Sequence, residues 1–152
     1  MRTIISDSIF ANYDTDDYNI FTHPGLTLDE FCRNTYVLYT DIKEPIFCFG
    51  TNDLNNGYML YEVLNNYRKL IDLFPNCILI SPPLGNIGSS MTLELPVDII
   101  HFTEYNTVDG LHPTKETLDN FIDELTRYLV VLELSNDSTN HFRNGCILTN
   151  IT

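Results

Sequence analysis

The stretch Pro45-Ile46-Phe47-Cys48-Phe49-Gly50-Thr51-Asn52-Asp53 passes abruptly from apolar to polar residues. It reads as a buried strand that empties at its carboxyl end into a glycine-led polar segment. Similar junctions lie on either side of it. Thr3-Ile4-Ile5 runs into Ser6-Asp7-Ser8, and Tyr18 to Phe21 runs into His23-Pro24-Gly25-Leu26-Thr27. Cys77-Ile78-Leu79-Ile80 forms a fourth predicted strand. Val97-Asp98-Ile99-Ile100-His101-Phe102 forms a fifth, ahead of Asp109-Gly110-Leu111-His112-Pro113. Strands this continuously apolar belong to a sheet covered on both faces.

Helical periodicity fills the intervals. Thr27 to Tyr39 opens with Thr27 as N-cap and Glu30 three residues on, the spacing of a capping box. Tyr58 to Phe74 places Leu60, Val63, Leu64, Tyr67, Leu70 and Ile71 on one stripe, with Pro75 beyond its end. Thr114 to Leu132 has Thr114 as N-cap, Thr117 at the third helical position, and the stripe Leu118, Phe121, Ile122, Leu125, Tyr128, Leu129. Ser81 to Pro96 is interrupted by Pro82, Pro83, Gly85 and Gly88 and reads as a loop with at most a helical turn. Strand alternating with helix predicts a doubly wound α/β domain over residues 1–134. Residues 135–152 read as a polar tail, with a short apolar patch at Cys146-Ile147-Leu148 that is either a docked end strand or disordered.

Composition narrows the function. The chain has 152 residues, 43% hydrophobic and 12% aromatic, which fits one globular domain. Its formal net charge of −13 repels phosphate backbones, so nucleic acid is not an expected partner, and anionic membranes are disfavoured. Cys32, Cys48, Cys77 and Cys146 contain no CxxC pair, and Cys48 and Cys77 read as buried reduced thiols. No signal peptide or membrane-length apolar run is visible, so a cytoplasmic location is expected. The histidines lack metal-ligand spacing, and no GxSxG elbow, Walker or GxGxxG loop occurs; no metal or cofactor is expected.

In an open α/β sheet ligands bind at the carboxyl ends of the strands, where these polar segments converge. Ser8 supplies a hydroxyl that becomes nucleophilic when a base accepts its proton, and His112 can be that base near neutral pH. Asp109, three residues earlier, has the spacing to reach the imidazole Nδ1–H and hold its tautomer. The oxyanion formed in acyl transfer needs donors, and the Ser8 N–H, the Gly25 N–H and the Asn52 side-chain amide are the candidates. Asp7 and Asp53 read as loop-holding carboxylates. His23 has no assigned role, and His101 reads as a core or rim residue within its strand. Tyr58, Tyr61 and Tyr67 read as packing or surface residues.

Asp7-Ser8, Gly25, Gly50-Thr51-Asn52-Asp53 and Asp109-Gly110-Leu111-His112, in that order, resemble the four blocks of the SGNH/GDSL hydrolase family over roughly residues 3 to 130. The resemblance implies a three-layer α/β/α sandwich with a flavodoxin-like parallel sheet of about five strands. It also implies ester hydrolysis, without a cofactor, on small-molecule, glycan or lipid esters. Two features depart from the family pattern. Ser6 stands where a glycine usually precedes the Asp-Ser pair, and the segment from Ser81 to Pro96 is short, which implies an open site suited to a small acyl group or to a large substrate presented from outside. A non-catalytic binding module and an acyltransferase using the same residues are the alternatives to an esterase.

Overall fold

The computed structural model describes residues 1–138, with side chains described through residue 135. The proposed strand at Cys146-Ile147-Leu148, and His141, lie outside the described residues. Five strands, β1 (Arg2–Ser6), β2 (Tyr18–Thr22), β3 (Ile46–Cys48), β4 (Ile78–Ile80) and β5 (Ile99–Ile100), form one sheet in the order β2-β1-β3-β4-β5. Every neighbouring pair is parallel. This is the 2-1-3-4-5 order of an α/β fold, whose topological switch point lies between β1 and β3.

Register explains the continuous apolar strands. Ile5, Phe47, Leu79 and Ile99 lie side by side across four strands and enter the main apolar core. The alternate row, Ile4, Ile46 and Ile78, is at most 4% exposed. Both faces of the sheet are therefore buried, as expected of parallel strands.

The chain forms two compact units, Met1–His101 and Phe102 onward. The first contains the sheet and four helices, α1 (Leu28–Arg33), α2 (Thr51–Asn55), α3 (Leu60–Leu73) and α4 (Ile87–Glu94). Thr27 caps α1 as expected, its Oγ1 accepting the Glu30 N–H at 3.1 Å. The Glu30 carboxylate takes the Thr27 hydroxyl rather than a backbone amide, so only half of the capping box forms. The predicted helix to Tyr39 breaks at Asn34 (φ −134°, ψ −55°), and Thr35–Tyr39 continues as 3-10 turns. Asn34, Thr35, Tyr36 and Val37 are all weak helix formers. The break lets Tyr39 stack on Phe31, with ring centroids 6.1 Å apart. In α3, Val63, Leu64, Tyr67 and Leu70 are buried, whereas Leu60 at its start is 41% exposed.

Ser81 to Pro96 is more ordered than expected. Its breakers, Pro82, Pro83 and Gly85, all precede Ile87, which leaves the eight residues of α4 uninterrupted by proline. Ile87, Met91 and Leu95 recur at a spacing of four and are 3%, 0% and 6% exposed. Gly88 does not break this helix; it brings the helix close to His101, whose Nδ1 would lie 2.8 Å from a Cβ there.

The second unit is built on α5 (Lys115–Ser138), six residues longer than the predicted helix. Thr114 caps it, with Oγ1 accepting the Thr117 N–H at 3.1 Å. Every predicted stripe residue from Leu118 to Leu129 is buried, and Phe102 stacks on Phe121 at 4.2 Å. No described helix is long and apolar enough to cross a membrane.

Candidate active site

In the first unit, Ser8, Gly25 and Asn52 follow the carboxyl ends of β1, β2 and β3, three adjacent strands flanking the switch point. Each is held by a nearby backbone constraint. The Asp7 N–H donates to the Cys48 carbonyl at 3.1 Å, extending the β1–β3 pairing beyond Ser6. The Asp7 carboxylate, 1% exposed, accepts the Ile9 N–H at 3.1 Å and caps the 3-10 turn Ser8–Phe10. Asp7 is thus the loop-holding carboxylate the sequence suggested, acting as the N-cap of that turn. Ser8 is the first residue of that turn and is half-buried.

The loop after β2 is tied to the same place. The His23 N–H donates to the Ser6 carbonyl at 2.8 Å, and the Leu26 N–H donates to the His23 carbonyl at 3.1 Å. With Pro24 second and Gly25 third at φ +80°, this is a type II turn, which requires positive φ at that third position. His23 itself pairs through Nε2 with the Tyr39 hydroxyl at 2.5 Å, and partial burial lowers its pKa.

Gly50 adopts φ +117° at the end of β3. A Cβ there would collide with the Tyr67 hydroxyl and would meet Pro82 Cγ at 2.9 Å. That hydroxyl donates to the Phe49 carbonyl at 2.6 Å, so the glycine and the tyrosine together set the path into α2. Asn52 lies in the first turn of α2 and donates from Nδ2 to the Leu26 carbonyl at 3.1 Å. Asp53 is fully buried and accepts the amides of Leu28 at 2.7 Å and Asp29 at 3.2 Å. Desolvation raises its pKa, and those two amides oppose the rise.

In the second unit, Asp109 and His112 form a dyad. Asp109 Oδ2 lies 2.7 Å from His112 Nδ1. Its Oδ1 accepts the backbone N–H groups of Leu111 at 3.0 Å and His112 at 2.7 Å. The His112 amide and imidazole, followed by the Leu111 amide, hold the Asp109 pKa down at about 2. The loop has further supports: Val108 N–H to the His112 carbonyl at 3.0 Å, Gly110 N–H to Thr107 Oγ1 at 3.0 Å, and Tyr105 hydroxyl to the Leu111 carbonyl at 2.8 Å. The three-residue spacing seen in the sequence therefore closes into a bonded Asp–His pair.

Other polar groups were less visible in the sequence. His101 lies just past β5, which ends at Ile100, rather than within the strand. Its Nδ1 pairs with Ser81 Oγ at 2.8 Å and its Nε2 with Thr92 Oγ1 at 3.0 Å, which suits the predicted rim position. Tyr67, which reads in the sequence as a packing or surface residue, is buried and also bonds the backbone beside Gly50. No local signal reveals either pairing, because each joins separate elements. Cys48 and Cys77 are buried free thiols, and burial pushes Cys77 up to about 12.

Comparison with known proteins adds to this geometry. No protein-family model matches the chain. Its structure resembles a candidate acylhydrolase from Bacteroides fragilis, with TM-score 0.66 and 16% identity over 87% of this chain and 86% of that one. It also resembles the esterase EstA from Pseudoalteromonas, with TM-score 0.58 and 16% identity over 95% and 100%. The SGNH-hydrolase family esterase AlinE4 matches with TM-score 0.52 and 16% identity over 86% and 96%. The fold is that of the SGNH hydrolases. In sequence, 73 residues, or 47% of the chain, are 29% identical to an N-acylneuraminate cytidylyltransferase from Streptococcus agalactiae. The match spans only 18% of that protein's length.

Proposed function

We propose that this SGNH-fold chain is a serine esterase that hydrolyses a short-chain carboxylic ester through an acyl-enzyme on Ser8. The observation that carries the reading is the 2.7 Å contact between Asp109 Oδ2 and His112 Nδ1. A carboxylate on Nδ1 keeps the proton there and makes Nε2 the basic atom, as a serine nucleophile requires. Ser8 Oγ attacks the ester carbonyl carbon while its proton passes to His112 Nε2. The Ser8 N–H, Gly25 N–H and Asn52 Nδ2–H stabilise the oxyanion. Collapse breaks the C–O bond to the alcohol, which takes the proton from His112. Water, deprotonated by the same base, then attacks the acyl-serine, releases the acid and restores Ser8. The short β4–β5 connection favours a small acyl group, and the esterases and acylhydrolase sharing this fold favour ester chemistry.

The test is labelling with a fluorophosphonate, with the adduct located by mass spectrometry. The expected result is one adduct on Ser8, absent in His112→Ala, and loss of nearly all nitrophenyl-ester turnover in Ser8→Ala. Folded wild-type protein that takes no label, or a Ser8→Ala variant with full turnover, overturns the assignment.

A further inference from the structure

We propose that Asp53 is a positioning residue for the Asn52 oxyanion donor, acting by clamping the 26–29 segment against α2. The inference rests on the esterase reading. Two adjacent residues of α2 bond one short segment that begins next to Gly25. Asn52 Nδ2 reaches the Leu26 carbonyl at 3.1 Å, and Asp53 takes the Leu28 and Asp29 amides at 2.7 and 3.2 Å. The carbonyl that Asn52 Nδ2 bonds thus belongs to the residue directly after Gly25, whose N–H is another of the proposed oxyanion donors.

The Asn52 bond decides which way its amide faces. A backbone carbonyl accepts an N–H and repels an amide oxygen, so the Leu26 contact fixes the NH2 group toward the 25–26 loop. One N–H is used there and the other remains in a defined direction. That selection survives only while the Leu26 carbonyl stays within hydrogen-bond reach. Asp53 provides this by anchoring the two amides immediately beyond. Its own main chain is anchored too, because the Tyr58 N–H donates to the Asp53 carbonyl at 3.0 Å.

The carboxylate suits this task better than its neutral isostere. Each of its oxygens accepts one of the two amides. An asparagine would offer one oxygen and turn an NH2 group against the other N–H. Burying a charge is costly unless hydrogen bonds replace the lost water, and Asp53 is fully buried with two amides in that role. A loosened clamp lets the Asn52 amide turn away from the reacting carbonyl. Such a loss acts on the transition state and not on substrate binding, so it lowers kcat and spares KM.

A double-mutant cycle on the full chain separates positioning from mere stabilisation. Asn52→Ala should lower kcat by about a hundredfold, the usual loss for one oxyanion donor. Asp53→Asn should lower kcat by about tenfold or more, with KM within about twofold. Adding Asp53→Asn to Asn52→Ala should cost almost nothing further, because the group being positioned is already gone. If Asp53→Asn does not fold, an amide-to-ester replacement at Leu28 removes the 2.7 Å donor while keeping both side chains, and should show the same kcat loss and the same non-additivity. Full kcat in the folded single variant, or additive losses in the double, overturns the inference while leaving the esterase reading intact. Wild-type protein without a phosphonate adduct on Ser8 overturns that reading, and this inference with it.

Discussion

Asp7 and Asp109 each accept the amide two residues further along the chain, yet one is buried at the carboxyl end of the interior strand β1 and the other stands half in solvent. Asp7 is placed by the sheet, since its own N–H extends the β1–β3 pairing to the Cys48 carbonyl. Asp109 is held by its bonds to the Leu111 and His112 amides and to the His112 imidazole, in a loop also bonded from Tyr105 to Leu111, from Gly110 to Thr107 and from Asn106 to Thr117. Asp7, beside the proposed nucleophile, thus takes its position from strand pairing, and Asp109, beside the proposed base, from amides of its own loop. Disturbing the core should displace the Ser8 side, whereas changes in the loop should stay local.

The largest effect should come from the local side. Asp109→Asn keeps the shape of the loop but reverses the hydrogen bonding to Nδ1, and the wrong tautomer should lower kcat by on the order of ten-thousandfold. Steady-state kinetics on a nitrophenyl ester measures this. The melting curve should move little, because Asp109 is exposed, and a large fall in melting temperature would show that the loop is not self-contained.

Gly50→Ala probes the sheet side. The added Cβ meets Tyr67 and Pro82 at a backbone conformation with positive φ, so strain and overpacking add to roughly 3 kcal/mol of lost stability. Denaturant unfolding measures it. Losses of phosphonate labelling and stability should go together, since the Asn52 helix begins at that glycine.

A smaller effect is expected at the cap of the loop side. Thr114→Ala removes the acceptor for the Thr117 N–H and should cost about 1 kcal/mol in the same unfolding experiment. Labelling by phosphonate should persist.

The subtlest test is titration of Asp109. Its folded pKa, about 2, lies below its ordinary 3.8, so its hydrogen bonds are fully present above 3.8 and are lost as pH falls toward 2. Carboxyl carbon NMR should show a midpoint near 2, and any loss of activity between pH 4 and 7 should belong to another group. A midpoint near 3.8 would mean that the loop bonds do not persist in solution.

How far the chain could be read depended on the range of the interaction. Strands were legible because parallel strands buried on both faces carry unbroken apolar runs, as in Ile46–Cys48 and Ile78–Ile80. The caps at Thr27 and Thr114 and the Asp109–His112 pair were legible because each closes within three residues. The helix Ile87–Glu94 was hidden by Pro82, Pro83 and Gly85, whose breaking effect ends just before it begins, and by Gly88, which the helix accommodates. The split at Asn34 was hidden because the apolar spacing continues through it while the backbone does not.

By itself the sequence determined the α/β class, the candidate residues Ser8, Gly25, Asn52, Asp109 and His112, and the Asp–His contact. The class rests on periodicity, the Asp–His contact on neighbours along the chain, and the candidate residues on their places after the predicted strands and on the resemblance of their order to the family blocks. The tertiary structure alone decided that Asp53 grips the amides of residues 28 and 29, that Tyr67 forbids a side chain at Gly50, and that His101 pairs with Ser81 and Thr92. Those contacts join residues 9 to 25 positions apart, and packing of separate elements, not local preference, selects them.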